Sequence, residues 1–263
     1  MADADQVINA LQSGHDDLAP LIAALTTDQL GGPSAATEWS IAQVLSHLGS
    51  GAVIALATLD AALEGHPNPG GEANQVVWAR WNAMEPQQQA DEFVVADTAL
   101  LARYDSIDAA TRSSLQVDLG FLPAPVSLAT AARFRLNEFA LHSWDVRVAL
   151  DPSATVRPEA VPLLLDQVVL MLGWLAKPAA LQGRSVQLRV DLRDPASSFG
   201  LTLAEAGCGI GEAPEAPDGV LTLPAEAWLR LVYGRLSSDH TPADVTVDGD
   251  LTLETLRQVF PGF

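Results

Sequence analysis

Glu138 and His142 stand four residues apart in "RLNEFALHSWDVRVAL", the segment from Arg135 to Leu150. On a helix this spacing puts a carboxylate and an imidazole on one face, about one turn apart and within reach of one cation. Such a pair is a weak motif on its own, because a buried hydrogen-bonded Glu–His pair has the same spacing. His47, in "VLSHLG", supplies a third donor beside the apolar stripe of Ile41, Leu45 and Leu48. Facing helices of a bundle are where metal sites are assembled. Two imidazoles and a carboxylate, with a fourth position open, make a catalytic zinc set, and other divalent ions accept the same donors. Asp145 follows His142 by one turn and is placed to orient a ligand imidazole from behind.

The remaining candidates have quieter readings. Cys208, in "AGCGIG", reads as an incidental thiol in a glycine-rich turn. As the single cysteine it excludes an internal disulfide and a thiolate-rich structural metal site. Trp78, Trp81 and Trp144 either line an apolar wall or pack a core, and core packing is the commoner role. His15, His66 and His240 have no partner at ligand spacing and read as surface or structural residues.

The elements that must carry these side chains follow from apolar periodicity. Val7, Ile8, Leu11, Leu18, Leu21, Ile22 and Leu25 mark a first amphipathic helix ending before Gly31-Gly32-Pro33. A second starts after Ser40, with Gln43 completing a capping box, and closes at Gly65. Helical pattern resumes over Gln75–Ala83 and from Pro86 to Tyr104. "GFLPAPVSLAT" reads as a loop leading into the helix that bears Glu138 and His142. Four such helices predict a bundle over residues 1–152. Residues 153–263 change character: one helix at about 158–175 precedes segments such as "SVQLRVDL", "FGLTLAEAG", "DGVLTLP" and "ADVTVDGD", which alternate as half-buried strands do. "PAEAWLRLVYGRL" and "TLETLRQVF" are helical. The fold class is therefore α+β, a helical bundle followed by a small domain with a mostly antiparallel sheet.

Composition bounds the partners. The chain has 33 acidic against 14 basic residues, a formal net charge of −19, and no Lys/Arg cluster. That field repels phosphate backbones and anionic membrane surfaces, so neither nucleic acid nor membrane is an expected partner. The N-terminus lacks a signal-peptide pattern, and "VPLLLDQVVLMLGWLAKPAAL" is too interrupted to span a bilayer. A cytoplasmic protein is expected.

Two blocks carry a resemblance. "TEWSIAQVLSHLGS", followed some ninety residues on by "RLNEFALHSWDVRVAL", resembles the mycothiol-dependent maleylpyruvate isomerase family, whose N-terminal domain is a DinB-like four-helix bundle. The segments "APDGVLTLPAEAWLRLVYGRL" and "VTVDGDLTLETLRQVFPGF" are similar to the sterol-carrier-like domain that often follows it. The resemblance implies that His47, Glu138 and His142 are a metal triad, with zinc the usual ion and mycothiol the co-substrate. It implies a catalytic arginine, for which Arg235 in "Tyr-Gly-Arg" is the best match; an ordinary helix-terminal charge is the other reading of that residue. The implied activity is isomerisation of, or S-transfer to, a small electrophile by a low-molecular-weight thiol. A thiol or small-ligand sensor and a zinc-dependent hydrolase remain as alternatives for the same residues.

Overall fold

Good capping residues and clean apolar stripes divide the chain into short and long helices before any sheet appears. The computed structural model describes residues 3–262, and the chain separates into two units, Met1–Ala154 and Thr155–Phe263. In the first unit the order is α1 (Ala4–Ala23), α2 (Thr27–Gly31), α3 (Ile41–Glu64), α4 (Gly70–Asn82), α5 (Pro86–Asp105), α6 (Ala109–Ser114), β1 (Gln116–Val117), β2 (Val126–Ser127) and α7 (Leu128–Leu150). The four long helices α1, α3, α5 and α7 form the bundle: α1 packs on α5 and α7, and α3 packs on the same two. Each thus buries one stripe against two neighbours, the arrangement that closes a four-helix core.

Capping chemistry fixes where these helices begin. Ser40 accepts from the Gln43 amide at 3.2 Å while the Gln43 side chain accepts from the Ser40 amide at 2.8 Å, the reciprocal box expected from the sequence. Gly65 ends α3 in the left-handed region at φ 71°, where a side chain would be strained. By length and composition α3 is apolar enough to cross a membrane, but 56% of its most apolar window is buried by the protein itself. The bundle also encloses a polar cluster. Arg135 on α7 donates to Asp97 on α5 at 2.8 Å, and Asp97 meets His15 of α1 at 2.9 Å, all three side chains buried. Burial works to raise the Asp97 pKa, yet the hydrogen bond from His15 and the Arg135 guanidinium together hold it below its ordinary value. His15 is therefore a buried structural residue.

The second unit holds α8 (Val161–Leu175), β3 (Val186–Arg193), β4 (Ser197–Ala204), β5 (Gly207–Gly211), β6 (Gly219–Pro224), α9 (Ala225–Val232), β7 (Thr246–Gly249) and α10 (Leu253–Val259). Its sheet runs β5-β4-β3-β6-β7. Only β3 and β6 pair in parallel, and the other three pairings are antiparallel. In β3, Val186, Leu188, Val190 and Leu192 alternate inward into the core, the period-two pattern seen in the sequence.

Local chemistry overrides the periodicity at three places. The expected single first helix is two, because Thr26 caps α2 with its own capping box and stops α1 at Ala23. "GFLPAPVSLAT" is not wholly loop: Val126–Ser127 pairs with Gln116–Val117 before Ser127 caps α7. Cys208 lies in strand β5 opposite Leu203 rather than in a turn, half-buried, with burial pushing its thiol pKa up.

Candidate metal centre

His47 comes from α3, one turn along from the Gln43 cap, and Glu138 and His142 from α7. Packing of α3 on α7 brings the three together. His47 Nε2 lies 3.1 Å from Glu138 Oε2, and His142 Nε2 lies 3.8 Å from the same oxygen. One donor atom from each residue fits within 4.8 Å of the other two. Donors sharing a zinc ion at roughly 2.0–2.2 Å sit about 3–4 Å apart; the two separations from Glu138 fall in that range, and the third lies within 4.8 Å. Exposure is graded, with His142 nearly covered and Glu138 half-exposed, which leaves an open side.

Behind the cluster, Asp145 Oδ2 meets His142 Nδ1 at 2.8 Å, and the Asp145 side chain is fully buried. A proton held on Nδ1 by this carboxylate leaves the Nε2 lone pair facing Glu138 and His47, the usual arrangement behind a metal-bound imidazole. Asp145 is fixed in turn by its backbone, whose carbonyl accepts from the Ala35 amide at 3.0 Å. This bond ties α7 to the loop that carries Trp39.

That loop is built to hold one indole. Pro33 bridges Ser40, the Trp39 carbonyl accepts from both the amide and hydroxyl of Ser34, and the Trp39 amide donates to Ala36. Glu38 takes φ 67°, a conformation unusual for a residue with a Cβ. The Trp39 ring sits 5.3 Å from that of His47 and stacks on His142 at 5.8 Å and 20°. Three sides of the cluster thus have a structural account: α3, α7 and an aromatic cover.

Residues 11–147, the stretch that contains these elements, match the family model for the mycothiol maleylpyruvate isomerase N-terminal domain. The chain belongs to that family. Two uncharacterized proteins from two strains of Mycobacterium tuberculosis are each 28% identical over 155 residues, which cover 57% of this chain and 70% of theirs. Crystal structures of the mycothiol-dependent maleylpyruvate isomerase and of a histidine-to-alanine mutant of it superpose with TM-score 0.66 at 15% identity, covering 96% of this chain and 98% of theirs. At that identity the likeness is one of fold. The maleylpyruvate isomerase fold therefore extends beyond the helical unit to the sheet.

The other predicted residues divide. Trp81 and Trp144 are core, with the Trp144 indole donating to the Ala154 carbonyl at 2.9 Å, whereas Trp78 is exposed on α4. Arg235 lies in the second unit after Gly234, half-buried, its guanidinium donating to the Tyr233 carbonyl at 3.1 Å. His66 pairs with Glu64 at the surface, and His240 lies in a short 3₁₀ turn. Sequence reasoning gave no role to Trp39, although it stands at the start of the most distinctive block. The missed signal was its position, immediately before the cap of the helix that bears His47.

Proposed function

We propose that His47, Glu138 and His142 hold a divalent metal ion, zinc by the choice of donors, and that the protein is a thiol-dependent enzyme acting on a small electrophile. The observation that carries this is the convergence of three ligand atoms within 4.8 Å from two separate helices. When bound, such an ion lowers the pKa of a coordinated thiol, so that the nucleophilic thiolate exists near neutral pH. The chain's own groups prepare that role. Asp145 fixes the His142 ring and its tautomer, Glu138 adds a negative donor that limits the net charge of the centre, and the Trp39 ring covers the two imidazoles.

Membership of the family supports mycothiol as the thiol, with the outcome either isomerisation of an activated double bond or S-transfer. Arg235 is assigned the binding of a substrate carboxylate, for which a guanidinium offers paired donors. Both assignments rest on the family resemblance. The first test is metal content: purified protein should carry close to one divalent ion per chain, and His47→Ala or His142→Ala should lose it while keeping native helicity by circular dichroism. The second is turnover of a maleyl-type electrophile, which should require added thiol. Wild-type protein without stoichiometric metal, or turnover indifferent to thiol, would overturn the reading. Arg235→Lys should raise KM for a carboxylate substrate more than it lowers kcat.

A further inference from the structure

Helix α8 is covered on one side only. Leu164, Val168, Leu172 and Leu175 turn inward, where the helix packs on α9 and β5. Its outer face is apolar as well: Val169, Leu170 and Trp174 stand 53%, 64% and 53% exposed, and Pro162 is exposed one turn before Asp166. Steps of three and four residues join these positions into a single stripe along the helix. Asp166 is the one charged residue of α8, and on this stripe it has no hydrogen bond or ion pair among the described residues. Lys177, the only lysine in the chain, follows the C-terminal end of the helix. Its amide donates to the Val259 carbonyl at 2.6 Å and its ammonium group to the Trp174 carbonyl at 3.2 Å, which fixes a positive charge at that end of the stripe. Gly173 lies between them. Glycine inside a helix is less stable than alanine, yet a Cβ built at Gly173 would meet nothing within 4 Å, so packing within this chain does not require it.

The stripe is complementary to itself. Laid antiparallel on a second copy of α8, with the twofold axis between Met171 and Leu172, it sets Leu170 against Gly173, Val169 against Trp174 and Asp166 against Lys177. Each pairing then occurs twice. The notch at Gly173 receives a leucine side chain and lets the two helices approach closely, the indole covers a valine, and the rim joins opposite charges. A parallel pairing would instead set Asp166 against Asp166. A twofold contact requires one patch to fit itself, and a balanced patch is what association needs in a chain of formal charge −19, whose other faces repel their own copies. We infer that the outer face of α8 is a homodimer contact, two copies packing antiparallel through Val169, Leu170, Gly173 and Trp174 with Asp166 and Lys177 paired at the rim. A single helix face falls short of the roughly 800 Å² per partner of a standard interface, so the dimer is a weak one, with Kd on the order of 10 µM. The inference is independent of the metal-and-thiol reading.

The test is sedimentation velocity on the full chain from about 1 to about 300 µM, a range that brackets such a Kd. Salt at about 150 mM screens charges more than about 8 Å apart and leaves contact pairs in force. Wild-type protein should pass from monomer to dimer across this range. Leu170→Glu should weaken association roughly a hundredfold, because a carboxylate would be buried against the second helix, with helicity unchanged at this exposed position. Gly173→Ala should weaken it several-fold without lowering the unfolding midpoint of the dilute protein. Charge reads the register. Asp166→Lys alone and Lys177→Asp alone each oppose like charges twice and should weaken the dimer about tenfold. An equimolar mixture of those two variants pairs opposite charges again and should form a heterodimer of near wild-type affinity. A wild-type chain that stays monomeric at the highest concentration, including one that binds phosphatidylcholine vesicles instead, would overturn the inference. So would a dimer indifferent to Leu170→Glu, and charge variants that gain nothing on mixing would overturn the antiparallel pairing.

Discussion

His142 shows how much of the candidate centre is set by one contact. Its Nδ1 is 2.8 Å from a carboxylate that water cannot reach, so the ring has a fixed orientation before any ligand arrives. Partners of this kind are worth about 10–100-fold in metal affinity. Asp145→Asn is therefore expected to weaken metal binding by about that factor, measured by competition with a chromogenic chelator, with little change in helicity. Unchanged affinity would mean that Asp145 serves the fold alone. Gly49 makes the same point about packing: a Cβ built there would lie 2.1 Å from the Trp81 ring. Gly49→Ala is expected to destabilise the protein by about 1–3 kcal/mol in denaturant melts, the usual cost of overpacking, because neither α3 backbone nor a buried indole can yield.

Among the elements, α7 carries most of the burden. It presents Glu138 and His142 to α3 and Arg135 to the interior, where Asp97 and His15 join α5 and α1 to it. The Asp97 pKa is held below its ordinary 3.8. A depressed carboxylate stabilises the fold at pH above its unfolded value and loses that contribution as pH falls through the folded one. Unfolding midpoints should thus fall as pH drops below about 3.8, and Asp97→Asn should flatten that part of the profile. The same variant should cost about 3 kcal/mol at neutral pH, since Arg135 would remain buried without its counter-charge. A profile unchanged by the substitution would show that other carboxylates control acid unfolding. Tyr104, buried near both groups, has its pKa pushed up to about 12, mainly by burial, so it stays a neutral phenol throughout this range.

At the scale of the whole molecule the two units divide the work. All three candidate ligands belong to Met1–Ala154, while the five-stranded sheet belongs to Thr155–Phe263. A ligand that binds only the native state stabilises it by mass action. Calorimetry with and without a chelator should therefore show a metal-dependent shift in the transition of the helical unit. The transition of the sheet unit should move far less, and equal shifts in both would mean that the units unfold as one. A formal charge of −19 favours solubility and repels polyanions.

The sequence by itself determined the elements and their order: the Ser40–Gln43 box, the period-two strands and the one-turn spacing of Glu138 and His142 are local, and local rules govern them. It also pointed to His47, through an imidazole beside an apolar stripe. The break between α1 and α2 was equally local, yet a continuous apolar pattern hid the Thr26 cap. Only the tertiary structure decided which distant groups meet. His47 and Glu138 are 91 residues apart in sequence, and no periodicity tells that α3 and α7 cross at those turns. The same holds for Trp39 above the imidazoles and for His15 against Asp97. Their positions follow from packing many side chains at once, a cooperative choice that no short window of sequence contains.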